Sequence, residues 1–255
     1  MAQHPYSEDR MTANESKPPA TSAAGSANSD VPNSSSSCLN GDKLREKNER
    51  TENDTRFFGA SNPNQKLERM QLDRDLVLTT KSLVLRPLDV GDLELLWDDI
   101  SDSEISRLMA WNAHREKSET CEFLKTEVQR RKRGQGITWA IMTGGSFCGI
   151  VSLIGILHGH RALIYDRAEL AYWLSRRYHG QGIMTGACRR VLRFAFETLE
   201  LHKVFVSHFA DNEASAKLIK RLGFRYVGEQ IEEFSKNGVW HNHKLYELLD
   251  REFIG

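Results

Sequence analysis

The chain has 255 residues, and its 35 basic and 35 acidic side chains leave it with no formal net charge. That balance excludes a global field of the kind that draws a protein to nucleic acid or to an anionic membrane surface. No apolar run approaches the ~20 residues of a membrane-spanning helix, and the N-terminus lacks the apolar stretch of a signal peptide.

Residues 1–75 read as a low-complexity tail. The stretch 18–39 is rich in Ser, Asn, Ala and Pro, and 41–56 is mostly charged. Neither has a period of 3.6 or 2.0, so too little apolar surface can be buried to offset chain entropy, and disorder is expected. A regulatory or targeting extension is the functional alternative. Cys38, Cys121, Cys148 and Cys188 form no CxxC pair. Three of them sit inside apolar patterns, as in a reduced, cytoplasmic protein.

Order is expected from Leu76 onward. Leu83, Leu85 and Pro87 suit a first strand that stops at the proline. Asp89 or Asp92 can cap a helix through Leu93, Leu96, Trp97 and Ile100. A loop with Met109, Trp111 and Asn112 precedes a second helix over 118–133, with Cys121, Leu124 and Val128 on one face. Its last residues, Arg130–Arg133, read as cations complementing the helix C-terminus. Strands over 137–142 and 147–156 flank a Gly144-Gly145 turn. Residues 157–166 read as a loop, whose His158 and His160 lack a third metal ligand; no metal is expected. A strand from Ala168 to Leu174 follows, then a loop, then a helix with a stripe from Met184 to Leu199. Lys203–Phe209 is a strand. Asp211 or Asn212 caps a helix that ends at Gly223, and the chain closes in a hairpin turning at Asn237-Gly238. The order β-α-α-β-β-β-α-β-α-β-β, with a crossover helix after Leu174, predicts an α/β (α+β) mixed sheet covered on both faces.

The loop Arg177-Tyr178-His179-Gly180-Gln181-Gly182 carries the chemistry. Two glycines and a helix N-terminus bring unpaired N–H donors and a positive dipole end to one point, which makes an anion site. The dinucleotide fingerprint fails on its third glycine, and no GKS or GKT exists for a Walker loop. What remains is Arg177-x-x-Gly180-x-Gly182 between strand and helix.

In context this loop is more specific. The run YWLSRRYHGQGIMTGACRRVLRFAFETLELHKV, followed by DNEASAKLIKRLGFRYVGE, resembles the GNAT acetyltransferase superfamily, and within it the RimJ/RimL type that acetylates protein N-termini. The resemblance spans about residues 76–250. It implies a GNAT acyl-CoA N-acyltransferase domain over 76–255, acetyl-CoA as cofactor, and a gap where the strand ending at Leu174 splays from the strand starting near Lys203. It further implies cofactor contacts from Tyr172, Trp173, Leu174, Arg177, Tyr178, His179, Gly180, Gln181, Gly182, Ile183, Met184, Thr185, Asn212 and Ser215.

Acetyl transfer to an amine needs a base for the ammonium, donors for a developing oxyanion and a proton for the leaving thiolate. Glu169 sits on the strand that leads into the loop, where a carboxylate is costly unless used or paired. The resemblance assigns it the role of base; the structural alternative is an ion pair with Arg167 or Arg176. Ser215 and Asn212 match the family's Asn-x-x-Ser, with Ser215 as acid and Asn212 on the pantetheine arm or simply capping the helix. Many relatives carry a tyrosine acid one turn later, where this chain has Ile219. His179 is expected to face solvent or phosphate, and His208 is a lesser candidate base. Met109, Trp111 and Trp240 are candidate walls of the acceptor groove. The acceptor expected is a protein N-terminus, with ribosomal proteins the family expectation; a polyamine, amino acid or antibiotic is the alternative, and a non-catalytic acyl-CoA-binding module a third reading. A monomer or homodimer is expected.

Overall fold

The structure, a computed structural model, describes residues 76–255; the tail expected over 1–75 lies outside the described residues. Two short antiparallel strands come first, β1 (Leu78–Thr79) and β2 (Val84–Pro87). Asp89 then caps a 3₁₀ turn at Val90–Asp92 that runs into α1 (Leu93–Ile100). Asp89 accepts from the Val90 N–H, and Asp92 closes a capping box by accepting from the Asp89 N–H at 2.8 Å while also pairing with Arg86, 2.6 Å away. A single turn, α2 (Ser103–Ser106), interrupts the stretch read as loop. In α3 (Lys117–Lys132) Leu124 and Val128 are buried as expected, whereas Cys121 is only partly so. Its basic end is used locally: Arg130 pairs with Glu127, and Arg131 donates to the Leu88 carbonyl at 2.6 Å.

Strands β3 (Gly136–Thr143), β4 (Ser146–His160) and β5 (Leu163–Leu174) form an antiparallel meander. The expectation of a loop over 157–166 is therefore corrected. Both strands continue to a tight turn at 161–162, and register shifts between Ile154 and Leu157 and between Leu157 and Gly159 absorb extra residues. The pairing survives, but the alternation of side chains does not, so no period of two shows. Helix α4 (Ile183–Arg193) widens into a π-turn at Phe194–Thr198 before β6 (Lys203–Phe209). Next come α5 (Glu213–Arg221) and the hairpin of β7 (Arg225–Lys236) and β8 (Val239–Leu249). Asn237 and Gly238 both have positive φ, +52° and +80°, as a two-residue hairpin turn requires.

Among the described residues, all eight strands join one sheet, in the order β1-β2-β3-β4-β5-β6-β8-β7. Only β5 and β6 run parallel, because α4 carries the chain back across the sheet between them. One core lies under α4 and α5, where Ala187, Val191, Leu192 and Ile219 meet Trp139, Val151, Leu170 and Val206. The other lies under α1 and α3, where Leu96, Ile100 and Leu124 meet Ala140, Ile150 and Trp173. Helices thus cover both faces, as expected. Gly149 permits β4 to pass close to the end of β5: a Cβ there would lie 2.3 Å from the Trp173 carbonyl oxygen.

Candidate active site

Leu174 ends β5 and delivers the chain into the glycine loop. Ser175 is buried and donates its hydroxyl to Asp99 of α1, which pins the start of the loop. After a 3₁₀ turn at Arg176–Tyr178, Gly180 and Gly182 both adopt φ +76°. Glycine tolerates this left-handed geometry without cost, and a Cβ at either position would meet open space. Gly182 is the N-cap of α4, and no side chain caps that end. The first helical bond runs from the Gly186 N–H to the Gly182 carbonyl at 3.0 Å, so the N–H groups of Ile183, Met184 and Thr185 have no helical acceptor. His179 Nε2 lies 3.0 Å from the Leu174 carbonyl, and the Gln181 amide donates to the Arg177 carbonyl at 3.0 Å. These two contacts fold the loop on itself. His179, though exposed, is thereby engaged on the protein backbone and not only turned to solvent. Open donors, a dipole end and the exposed Arg177 fit a pyrophosphate.

Beyond the loop lies a break in the sheet. The parallel pairing comprises Arg167–Lys203, Ala168–Val204 and Glu169–Phe205 and then stops. Residues 170–174 and 206–209, paired on their outer sides to β4 and β8, flank a gap that no β5–β6 ladder spans. Glu169 stands at the fork. Ala168 and Leu170 belong to the core under α4, so strand alternation turns Glu169 and Trp173 to the opposite face. Ser207 donates its hydroxyl to Glu169 Oε1 at 3.0 Å. Burial holds the Glu169 carboxyl above the ordinary carboxylate value, and the Ser207 hydrogen bond offsets part of that rise. The ion pair considered from sequence is replaced by this contact: Arg167 lies instead over the rings of Tyr165 and Phe205, at 4.8 and 5.8 Å.

On the α4–α5 face, the Tyr172 hydroxyl is 2.8 Å from Ser215 Oγ. Burial pushes the Tyr172 phenol well above its usual value, so it stays protonated. Ser215 sits in the first turn of α5, where its N–H donates to the Asn212 side chain at 3.0 Å. Asn212 is therefore a helix cap. Ser215 and Tyr172 are brought together, whereas Glu169 and Ser215 lie on opposite faces of the sheet. Trp173 faces away from Tyr172 and packs against Phe147 and Trp111, at 5.8 and 6.3 Å. His208 alternates with Ser207 and so points away from Glu169. Its Nδ1 is 2.6 Å from the Phe209 carbonyl, and burial lowers its pKa.

Of the groove candidates, Trp111 and Met109 are half-buried and Trp240 is 60% exposed. Lys236 ties the β7–β8 hairpin to their loop by donating to the carbonyls of Ser106, Met109 and Trp111 at 2.6, 2.7 and 2.8 Å. A cleft of about 770 Å³ beside that loop, lined by Ser101, Asn112, His114 and Lys236 among others, contains neither Glu169 nor Ser215. The sequence reading missed Ser207 and the Tyr172–Ser215 contact. Each pairs residues that only strand register and helix placement make neighbours.

Residues 82–225 match the family described as Acetyltransferase (GNAT) domain. The chain is 31% identical over 178 residues to YdaF of Bacillus subtilis (strain 168), provisionally named a ribosomal N-acetyltransferase; the match covers 68% of this chain and 94% of YdaF. It is 26% identical to the spermidine N(1)-acetyltransferase of Escherichia coli (strain K12), over 68% of this chain and 89% of that protein. Among solved structures, apo RimL, a ribosomal L7/L12 alpha-N-protein acetyltransferase, superposes with a TM-score of 0.62 at 20% identity, covering 68% of this chain and 93% of that one. At that identity the likeness speaks for the fold alone.

Proposed function

The chain belongs to the GNAT acetyltransferase family, and on that premise we propose that residues 76–255 transfer the acetyl group of acetyl-CoA to the α-amine of a protein N-terminus. The observation that carries this reading is Glu169 itself: a half-buried carboxylate at the fork of β5 and β6 with one oxygen held by Ser207. An α-ammonium titrates near 8 and a lysine ammonium near 10.4, so a carboxylate of modest strength, acting directly or through one water, suffices for the former.

The glycine loop, the open N–H groups of Ile183, Met184 and Thr185, and Arg177 would hold the pyrophosphate. Tyr172, Leu174, Tyr178, His179, Gln181 and Asn212, with Trp173 through its backbone, would line the rest of the cofactor's path. When bound, acetyl-CoA supplies a reactive thioester. Glu169 takes the ammonium proton. The backbone donors freed by the splay bind carbonyl oxygens. Ser215 Oγ, hydrogen-bonded to the Tyr172 phenol, holds a proton for the departing sulfur. Ribosomal proteins are the acceptors favoured by the likeness to YdaF, and a cytoplasmic setting is proposed with them. A polyamine acceptor is the second reading, favoured by the likeness to the spermidine enzyme.

Glu169→Gln is expected to lower turnover by about 10- to 1,000-fold, within the usual scale of general-base catalysis. Acetyl-CoA binding, followed by calorimetry, should remain intact; unchanged turnover would remove Glu169 from the mechanism. The acceptor is tested by mass spectrometry with alanine-terminated peptides and spermidine in parallel. Acetylation of spermidine alone would overturn the α-amine reading.

A further inference from the structure

We infer that Ser207 is a positioning residue that holds Glu169 ionised and aimed into the gap between β5 and β6; this rests on Glu169 being the base. The two side chains come from different strands. Glu169 is the last residue of β5 paired with β6, and its partner there is Phe205. Ser207 lies two residues further along β6, on the same face, where the strands have begun to part. Its hydroxyl donates across the opening to Oε1. This contact fixes one oxygen of the carboxylate and leaves Oε2 for the incoming ammonium. Ser207 itself is anchored by the pairing of β6 with β8, opposite Leu245, so the contact holds even where the parallel ladder ends.

Charged groups on the strands and helices of that face are engaged elsewhere. Arg167, on the same face of β5, is spread over Tyr165 and Phe205. Lys203 of β6 and Arg225 of β7 both bind Glu247 of β8. From the helices covering that face, Asp99 is held by Ser175, and Glu127 by Arg130 and Thr138. The neighbour on β4 is Ile154. A neutral hydroxyl is thus the polar contact that favours the charged carboxylate over its protonated form, against the effect of burial.

The test uses the full chain labelled with ¹³C at glutamate carboxyls, with the Glu169 resonance identified by its loss in Glu169→Gln. Ser207→Ala should move the Glu169 midpoint upward by about one pH unit, the equivalent of one ordinary hydrogen bond. Ser207→Thr, which keeps the hydroxyl, should leave it within a few tenths. The acidic limb of kcat, measured with an alanine-terminated peptide at saturating acetyl-CoA, should move in step, with acetyl-CoA affinity unchanged. A midpoint unmoved in Ser207→Ala would overturn the inference while leaving Glu169 as base. A midpoint that moves without the acidic limb would equally overturn it. Full turnover in Glu169→Gln would instead overturn the reading on which it rests.

Discussion

At the scale of the residue, Glu169 sets reactivity against stability. Burial raises its pKa in the folded protein above the unfolded value near 4.3. The folded state therefore binds that proton more tightly than the unfolded chain does. The associated stabilisation is complete below the unfolded value and is lost as pH rises through the folded one. At neutral pH the ionised carboxylate is a net burden on the fold, which is the cost expected of the proposed base. Glutamine resembles the protonated form at every pH. Glu169→Gln should therefore melt above the wild type at pH 8, and the gap should close toward pH 4, as followed by differential scanning fluorimetry. A gap that widened toward acid would mean that the fold prefers the carboxylate. Glu169 was legible in the sequence through its chemical type and its place before the glycine loop. Its partner was not. In Val204-Phe205-Val206-Ser207-His208, nothing local distinguishes Ser207; the parallel register with β5 alone brings it to Glu169.

At the scale of the element, the glycine loop and α4 form the proposed anion-binding unit. Positive φ at Gly180 and Gly182 turns the backbone so that the first N–H groups of the helix open outward. Gly182→Asp would place an L side chain in a left-handed conformation and a negative charge beside the phosphate position. Acetyl-CoA binding should fall by at least 100-fold in calorimetry, since strain of about 1–2 kcal/mol adds to like-charge repulsion; retained affinity would remove the loop from the site. This unit was readable because all of its determinants are local: glycines, a strand end and a helix with a clear buried stripe. The hairpin of β4 and β5 was not readable beyond Ile156, because its bulges break the alternation on which a strand is recognised. Strand β1 has two residues and α2 four, too few for any period to emerge. The caps were legible as pairs of candidates. Of Asp89 and Asp92 both take part, in one capping box, and Asp92 pairs with Arg86 as well.

At the scale of the whole molecule, the sheet both supports and divides the proposed chemistry. Cores on its two faces pack against β5 and β6, which stay paired up to Glu169 and Phe205 and part beyond that pair. The proposed base stands on one face, and the Ser215–Tyr172 pair on the other. Such a division has a kinetic signature. Amine and thioester can approach from opposite sides and be present together, with no need to store the acetyl group on the protein between visits. Initial rates measured over a grid of both substrates should give intersecting double-reciprocal lines. Parallel lines, the mark of a covalent acetyl-enzyme, would contradict this arrangement. Ligands that approach from two faces would also leave by two faces. Free CoA should accordingly compete with acetyl-CoA while leaving the amine free to bind, and neither product has to wait for the other to depart.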